Sequence, residues 1–353
     1  MKRRYLLYFF FLYLLIPFSL SAQESGGERF QPQLNPEISV LGDMLYLATD
    51  DGREEFNLRV MELGFQAPLD PQTRFKLFCH IHKEEEDGEP TNEYGFDIGE
   101  AYITYVGLPG HITLDAGKFR QPFGSLNRWH VHALPLIHEL LPLQKFFGHH
   151  GLTQTGISLT SSFSTPLAHA NELSLQVTNG ENDIAFTGAS FDKPSFLVHL
   201  KNYWDLSDAA YLEWGLSALR GANPDDQWMN YYGMDFTCLW EPPGREKYRN
   251  ASVRFEIMER EGLDGNDSLG GSLILESRLS RRWIVGAAGQ YAEEPTDNAL
   301  STTMLSGVLT FWQSPFVKLR AEYDWIDAPN DEQTNQVVFE VLFAAGPHKH
   351  ETY

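Results

Sequence analysis

The sequence predicts an all-β protein, a transmembrane antiparallel β-barrel of about 16 strands. Apolar and polar residues alternate through most of the chain after residue 37, which is typical of strands with two different faces. Many of these runs reach the about 9–11 residues that a membrane strand needs, whereas soluble strands average about 5–6. Short turns alternate with longer polar loops between the runs, as in outer-membrane barrels.

The alternation places the strands in order along the chain. In the run from Val317 to Trp325, for example, the odd positions are apolar and most even positions are charged. A break in this alternation near Met61 and another near Ala116 indicate bulges in the second and fifth strands. The predicted strands cover residues 38–48, 54–67, 72–84, 95–106, 111–120, 152–164, 172–180, 195–204, 209–220, 231–241, 250–260, 269–279, 281–292, 301–313, 316–327 and 335–345.

A barrel would turn the apolar face of each strand to lipid, whereas a secreted soluble β-sandwich would turn it to the core. Strand length favours the barrel. So does the position of Trp and Tyr near predicted strand ends, where aromatic girdles lie; these residues are Tyr203, Trp204, Trp240, Trp283, Trp312 and Trp325. The net charge of −21 argues against a nucleic-acid partner.

The chain ends predict the domain organisation. A basic start, Met1 to Arg4, precedes an apolar run and small residues, which indicates a signal peptide over residues 1–22. A short periplasmic segment, 23–37, leads into the barrel, 38–345, and a periplasmic tail, 346–353, follows it. The even strand number returns both termini to the periplasmic side.

The third outer loop, residues 121–151, is by far the longest. Loops of this length are usually functional or disordered, and its apolar content argues against disorder. We therefore expect it to fold into the lumen and narrow the pore. The alternatives are a hydrophobic cap over the mouth and a contact between subunits of a trimer.

The motif Gly117-Lys118-Phe119-Arg120-Gln121-Pro122-Phe123-Gly124 ends a strand before this loop. With the later Phe147-Gly148 and Gly151-Leu152, it resembles the phosphate-selective porin O and P family. The resemblance implies a 16-stranded, trimeric channel for small anions. Phosphate-selective members line the pore with basic residues, whereas the predicted lumen face here mixes both signs.

Two sets of residues are predicted to shape the pore, and both follow from the strand alternation and the long loop. The predicted constriction consists of Lys118, Arg120, Arg128, His130, His132 and His138. The predicted lumen-facing residues are Arg59, Lys76, His80, His82, Arg254, Glu256, Lys318 and Arg320.

His80 and His82 lie two positions apart, so their imidazoles point to the same face of one strand. Imidazole is a common ligand for divalent transition metals. This pair supplies at most two of the three or four ligands that zinc needs, so the alternative is that these histidines are ordinary polar lining. No cofactor is expected.

The sequence therefore predicts a porin in the outer membrane of a Gram-negative bacterium, which passes small hydrophilic solutes or ions by passive diffusion. The alternatives are a selective channel for phosphate-like anions or a divalent metal such as zinc, and a plugged structural barrel. No hydrolase or nucleotide-binding motif occurs, so an enzyme is not expected. The expected partners are outer-membrane lipid, the solutes, two further copies in a homotrimer and the barrel-assembly machinery.

Overall fold

The structure, a computed structural model, describes residues 36–86, 89–182, 184–186, 192–262, 266–329 and 332–346. The predicted signal peptide, most of the segment 23–37, and the tail 346–353 apart from Gly346 lie outside these ranges. Within them, no helix is both long enough and apolar enough to cross a membrane.

Sixteen antiparallel strands form one closed barrel, which confirms the predicted fold class. Each strand pairs with its neighbours in the sequence, and β1 pairs with β16 to close the sheet. A single closed sheet excludes the two-sheet sandwich. The strands are β1 Glu37–Thr49, β2 Glu54–Pro68, β3 Thr73–Glu86, β4 Glu89–Leu108, β5 Ile112–Arg120, β6 Thr153–Thr165, β7 Ala168–Thr178, β8 Ser195–Ser207, β9 Ala210–Ala222, β10 Trp228–Trp240, β11 Asn250–Glu261, β12 Ser268–Arg278, β13 Trp283–Glu294, β14 Asp297–Ser314, β15 Val317–Ala328 and β16 Glu332–Ala345.

Two predicted outer loops are mostly strand. β4 begins at Glu89 and β14 at Asp297, inside the regions 85–94 and 293–300 that the sequence assigned to loops. Polar residues fill these strand ends, and the hydrophobic alternation used to find strands is absent there. Backbone pairing needs no apolar side chain, so the ladder continues where the pattern stops.

The strands have an exposed apolar face and a buried face that is rich in polar residues. On β15, Leu319 and Tyr323 are 38% and 50% exposed, whereas Arg320 and Glu322 are 3% and 1% exposed. β16 repeats this arrangement, with Phe339 exposed and Glu340 buried. A soluble protein has the opposite arrangement, so the exposed face suits contact with lipid.

β2 contains the bulge that its broken alternation predicts. Asp43 pairs with Val60 and Met44 pairs with Leu58, so Arg59 is an extra residue on β2. One inserted residue reverses the alternation beyond it. Glu62 therefore lies on the buried face, only 1% exposed.

Candidate functional site: the long loop and the barrel wall

The segment between β5 and β6, residues 121–152, is here called the long loop. It contains a short 3-10 helix, Val131–Ala133, and one helix, α1, Leu141–Phe147. α1 has a proline in its first turn, where a missing backbone N–H is tolerated. It ends at Gly148, whose φ of 84° favours glycine.

The apolar side chains of the long loop form one hydrophobic cluster with the buried face of β8–β14. Phe123, Phe146 and Phe147 are completely buried in it, and the ring of Phe147 lies 5.2 Å from that of Tyr231. Burial of such a ring contributes about 1.5–3 kcal/mol. The wall residues of the cluster are Leu197, Leu219, Met229, Tyr231, Met258, Ile274, Ala288 and Val308.

This apolar part of the wall is not among the predicted lumen-facing residues, although the sequence carries a signal for it. In Phe196-Leu197-Val198, both faces of β8 are apolar. Phe196 and Val198 are exposed and Leu197 is 1% exposed. An uninterrupted apolar run in an otherwise alternating strand therefore marks a wall segment that packs against the protein on one side and is exposed on the other.

Glu256 on β11 anchors the beginning of the long loop. Its Oε1 accepts hydrogen bonds from the Ser125 backbone N–H at 2.7 Å, the Ser125 hydroxyl at 2.7 Å and the Leu126 backbone N–H at 2.8 Å. Gly124 has a φ of 67°, and a side chain there would begin 3.0 Å from the Glu256 carboxylate. The glycine thus allows the loop backbone to approach this wall carboxylate closely.

Arg320 on β15 anchors the middle of the long loop through backbone carbonyls. Its Nη1 donates to the carbonyl oxygens of Leu134 and Leu136, both at 2.9 Å. Its Nη2 donates to Glu340 on β16 at 2.6 Å, and Nε donates to the same carboxylate. The planar guanidinium can serve these acceptors together because it presents several donors in a fixed geometry.

Two further wall cations bind carbonyls of the same segment. Arg59 Nη1 donates to the Ile137 carbonyl at 2.5 Å, and Lys318 Nζ donates to the His132 carbonyl at 2.9 Å. Lys318 and Arg320 are 8% and 3% exposed. Three of the residues predicted to face the lumen therefore hold the loop, and the two most buried of them offer little charge to a passing solute.

On the other side of the loop, Glu62 lies between two histidines. Its Oε2 is 3.0 Å from Nε2 of His80 on β3 and 2.9 Å from Nδ1 of His130 on the loop. His132 Nδ1 lies 4.0 Å from the same oxygen. His130 Nε2 also faces Glu100 on β4, at 3.6 Å. This group is here called the Glu62 cluster: Glu62, His80, Glu100, His130 and His132.

Burial lowers the pKa of His130, but the charge of Glu62 and the hydrogen bonds to Glu100 and Glu62 outweigh burial and raise the pKa to about 9. At neutral pH the imidazole is therefore a cation with both ring nitrogens protonated, and each nitrogen faces a carboxylate. Sequence reasoning identified His130 but not Glu62 or Glu100. The bulge at Arg59 reverses the alternation, so the sequence does not show that Glu62 lies on the buried face. Glu100 comes close to the loop only when the barrel closes.

Three cavities of more than 200 Å³ lie between the long loop and the wall in the part of the chain that the structure describes. Their volumes are about 210, 450 and 230 Å³. The largest is lined by seven histidines: His80, His82, His130, His132, His138, His149 and His150. The other two mix signs; the smallest carries Lys76, Arg120 and Arg128 beside Glu100, Asp115 and Glu172, and the third carries Arg128, Lys201 and Arg254 beside Glu172, Glu213, Asp235, Glu241 and Glu276.

The predicted constriction residues separate into several places. Lys118 Nζ lies 3.7 Å from Glu181, and Arg120 Nη1 donates to the Asn127 carbonyl at 3.3 Å. Arg128 lines the two smaller cavities. His138 Nε2 lies 3.3 Å from Asp324, in a second histidine–carboxylate group that includes Glu322.

The remaining predicted wall residues also lie beside the loop or its cavities. Arg254 stacks 5.0 Å from the Trp129 ring of the loop. Lys76 lines the smallest cavity, 5.6 Å from the ring of Tyr102. His82 Nδ1 lies 3.3 Å from Asp97 Oδ1, which is also 3.8 Å from His80 Nδ1.

No protein-family model matches the chain. An uncharacterised protein of Aquifex aeolicus is 33% identical over 169 residues. The match covers 44% of this chain, and it spans only 33% of the length of that relative.

Solved structures with the same architecture are outer-membrane proteins. An anion-selective porin from Comamonas acidovorans has a TM-score of 0.60 at 10% identity, covering 88% of this chain and 100% of that one. OmpF of Salmonella typhi, in complex with daunomycin, has a TM-score of 0.60 at 8% identity, covering 88% and 97%. The trimer form of OmpT of Vibrio cholerae has a TM-score of 0.56 at 8% identity, covering 88% and 99%. The chain thus has the fold of a porin-like barrel.

Proposed function

We propose that the protein is a porin of the bacterial outer membrane, which passes small hydrophilic solutes by passive diffusion along a lumen narrowed by the long loop. The observation that carries the proposal is the position of the loop against the buried face of the strands, with cavities left between the two. In a closed barrel whose other face is apolar and exposed, the buried face is the lumen wall. Sixteen strands enclose enough space for an aqueous channel beside such a loop.

The loop works in this proposal as a fixed constriction. Its backbone is bound by charges on β2, β11 and β15, and its apolar side is bound by β8–β14. It therefore covers one part of the lumen and leaves the cavities lined by β3–β7 and by β7–β12 as the passage. Diffusion through this passage needs no catalytic step and no cofactor.

The charges favour a general porin over a phosphate-selective one. Lys118, Arg120 and Arg128 form no basic series, since Lys118 lies beside Glu181 and the cavities of Arg120 and Arg128 also carry carboxylates. A ring of one sign is what selects ions in a pore. We therefore expect weak selectivity between small anions and cations.

A homotrimer in the outer membrane is part of the proposal. Its support is the trimer form of the OmpT structure and the exposed apolar face of the strands, which can contact both lipid and further subunits. Cross-linking in detergent followed by mass measurement tests it, with three chains expected and one chain contradicting it.

Liposome swelling tests the channel directly. Folded protein in vesicles is expected to admit neutral sugars at rates that fall as the sugar becomes larger, because the constriction limits passage by size. Vesicles without protein give the background rate. Folded protein that admits the smallest sugar no faster than this background would contradict the proposal and favour a plugged structural barrel.

A further inference from the structure

We propose that Glu62, His80 and His130 form a binding site for a divalent transition-metal ion of the Zn²⁺ class, where the long loop meets β2 and β3. The inference goes beyond the diffusion channel, because passive diffusion requires no bound ion. It refines the predicted pair His80 and His82, of which only His80 belongs to this group of three.

Two of the three ligand pairs are close to the spacing that one ion needs, and the ion would displace the proton from His130 Nδ1. Glu62 Oε2 lies 3.0 Å from His80 Nε2 and 2.9 Å from His130 Nδ1. Tetrahedral zinc with bonds of about 2.0–2.1 Å holds its ligand atoms about 3.3 Å apart. The two pairs that include Glu62 need to open by a few tenths of an ångström to reach this spacing, and all three ligand atoms lie within 4.8 Å of one another.

The second nitrogen of each histidine faces a carboxylate, which is an independent observation. His80 Nδ1 lies 3.8 Å from Asp97, and His130 Nε2 lies 3.6 Å from Glu100. Histidines that bind metal almost always direct their other N–H to such an acceptor, which orients the ring and raises its basicity. Both candidate ligands face such an acceptor here, at distances slightly longer than a hydrogen bond.

The surroundings leave room for a fourth ligand. His132 Nδ1 is 4.0 Å from Glu62 Oε2, and the 450 Å³ cavity beside the group can supply water instead. The backbone also fits the site, because a Cβ on Gly99 would lie 2.3 Å from Cε1 of His80. Glycine at this position lets the His80 ring approach the backbone of β4 closely.

The ligand types select the class of ion. Two imidazoles and one carboxylate suit zinc, copper or nickel, whereas calcium and magnesium prefer oxygen ligands throughout. The second group, His138 with Glu322 and Asp324, contains one imidazole. Its carboxylates already accept hydrogen bonds from the Ile137 N–H and the Gln336 amide, so it is the poorer site.

Cobalt absorption in detergent tests the site. The full-length protein, shown to be folded by its heat-modifiable mobility on a gel, is stripped with chelator and titrated with Co²⁺. We expect one equivalent to give the visible absorption band of low-coordinate cobalt with nitrogen ligands. One equivalent of Zn²⁺ is expected to remove the band.

Matched variants assign the band to this site. His80→Gln is expected to abolish it, and Asp97→Asn, which does not touch the ion, is expected to weaken binding by about 10–100-fold. If His80→Gln does not fold, Asp97→Asn still tests the site, because Asp97 faces His80 but is not a ligand. The control is His169→Gln, an exposed histidine 3.7 Å from Asp205, which is expected to bind as the unaltered protein does.

Absence of the band in the folded unaltered protein would overturn the proposal, and the group would then be a proton-bridged anchor of the loop. If both variants, His80→Gln and Asp97→Asn, bound Co²⁺ as tightly as the unaltered protein, the proposal would be overturned as well. The measurement does not depend on conduction. A plugged barrel can still bind the ion, and an open barrel can fail to bind it, so failure of this proposal and failure of the porin proposal are distinguishable.

Discussion

Buried charges on the barrel wall hold the long loop mainly through its backbone. Glu256 accepts from two backbone N–H groups, and Arg320, Arg59 and Lys318 donate to backbone carbonyls. A loop without long regular structure has many backbone groups that its own segment does not pair. The wall charges satisfy these groups, and this explains why a charged wall can bind an apolar loop.

Replacement of Glu256 by Gln tests this anchor. The amide oxygen can still accept, but hydrogen bonds to a charged acceptor are stronger than those to a neutral one by about 1 kcal/mol. We expect the amide hydrogens of Ser125 and Leu126 to exchange with deuterium roughly five times faster. The control is Glu276→Gln, on the next strand at the edge of a cavity. Equal exchange in the two variants would contradict the anchoring role.

Arg320→Met tests the buried network in the middle of the loop. The change leaves Glu340 without this partner and the carbonyls of Leu134 and Leu136 without a donor. Loss of one partner from a buried ion pair costs about 3–5 kcal/mol.

Arg254→Met is the graded comparison for this test, because Arg254 binds the loop only by stacking on Trp129, a contact of about 0.5–1 kcal/mol, and its Nη1 donates to the Ser252 hydroxyl on its own strand. The measurement is the denaturant concentration at which the folded gel band disappears. A larger loss for Arg254→Met than for Arg320→Met would show that the carbonyl contacts matter little.

At the scale of elements, α1 is the part of the loop that packs against β12 and β13. A Cβ on Gly270 of β12 would lie 2.9 Å from Pro142 Cβ and 3.4 Å from the ring of Phe146. The absence of a side chain at Gly270 thus allows the close approach of the helix. The sequence shows that the loop is long and rich in apolar residues. It does not show that α1 contacts Gly270, which lies far away in the chain.

Gly270→Val is expected to push α1 away from the wall. Lys145 within α1 is paired with Glu294, and displacement would expose it to trypsin. We expect cleavage after Lys145 to become several-fold faster. The control is Gly307→Val on β14, where an added Cβ meets no atom within 4 Å. Cleavage at the same rate in both variants would contradict the packing of α1 on Gly270.

The sequence could predict the elements because the alternation of apolar and polar residues in a strand depends only on the two faces of that strand. It located the 16 strands of the described residues, and the break near Met61 corresponds to the bulge at Arg59. The break near Ala116 corresponds to no bulge, because β5 pairs with β6 without a register shift. It could not predict the partners of the loop, since Glu62, Glu100 and Glu256 reach it only through barrel closure. The same limit explains why Lys318 and Arg320 could be predicted as lumen-facing but their contacts with the loop carbonyls could not.

At the scale of the whole molecule, the exposed apolar face of the strands indicates that the barrel lies in a membrane. Phe339 is 50% exposed at the middle of β16, and Leu206 is 58% exposed near the end of β8. In a membrane barrel, the cost of a charge depends on depth, and it is greatest at the bilayer midplane.

Phe339→Arg is therefore expected to destabilise the barrel by about 2–4 kcal/mol in lipid, whereas Leu206→Arg is expected to cost about 0–1 kcal/mol. Equilibrium unfolding in lipid vesicles measures both values. Equal small costs at the two positions would place β16 outside the hydrocarbon region and contradict the proposed membrane orientation.

The central claim, a water-filled lumen narrowed but not closed by the long loop, is tested most directly by single-channel conductance in a planar bilayer. Folded protein is expected to insert with stable, uniform conductance steps. Its reversal potential across a salt gradient is expected to be close to zero, because the cavities carry both signs of charge. Folded protein that inserts but never conducts would contradict the claim and would make the loop a plug.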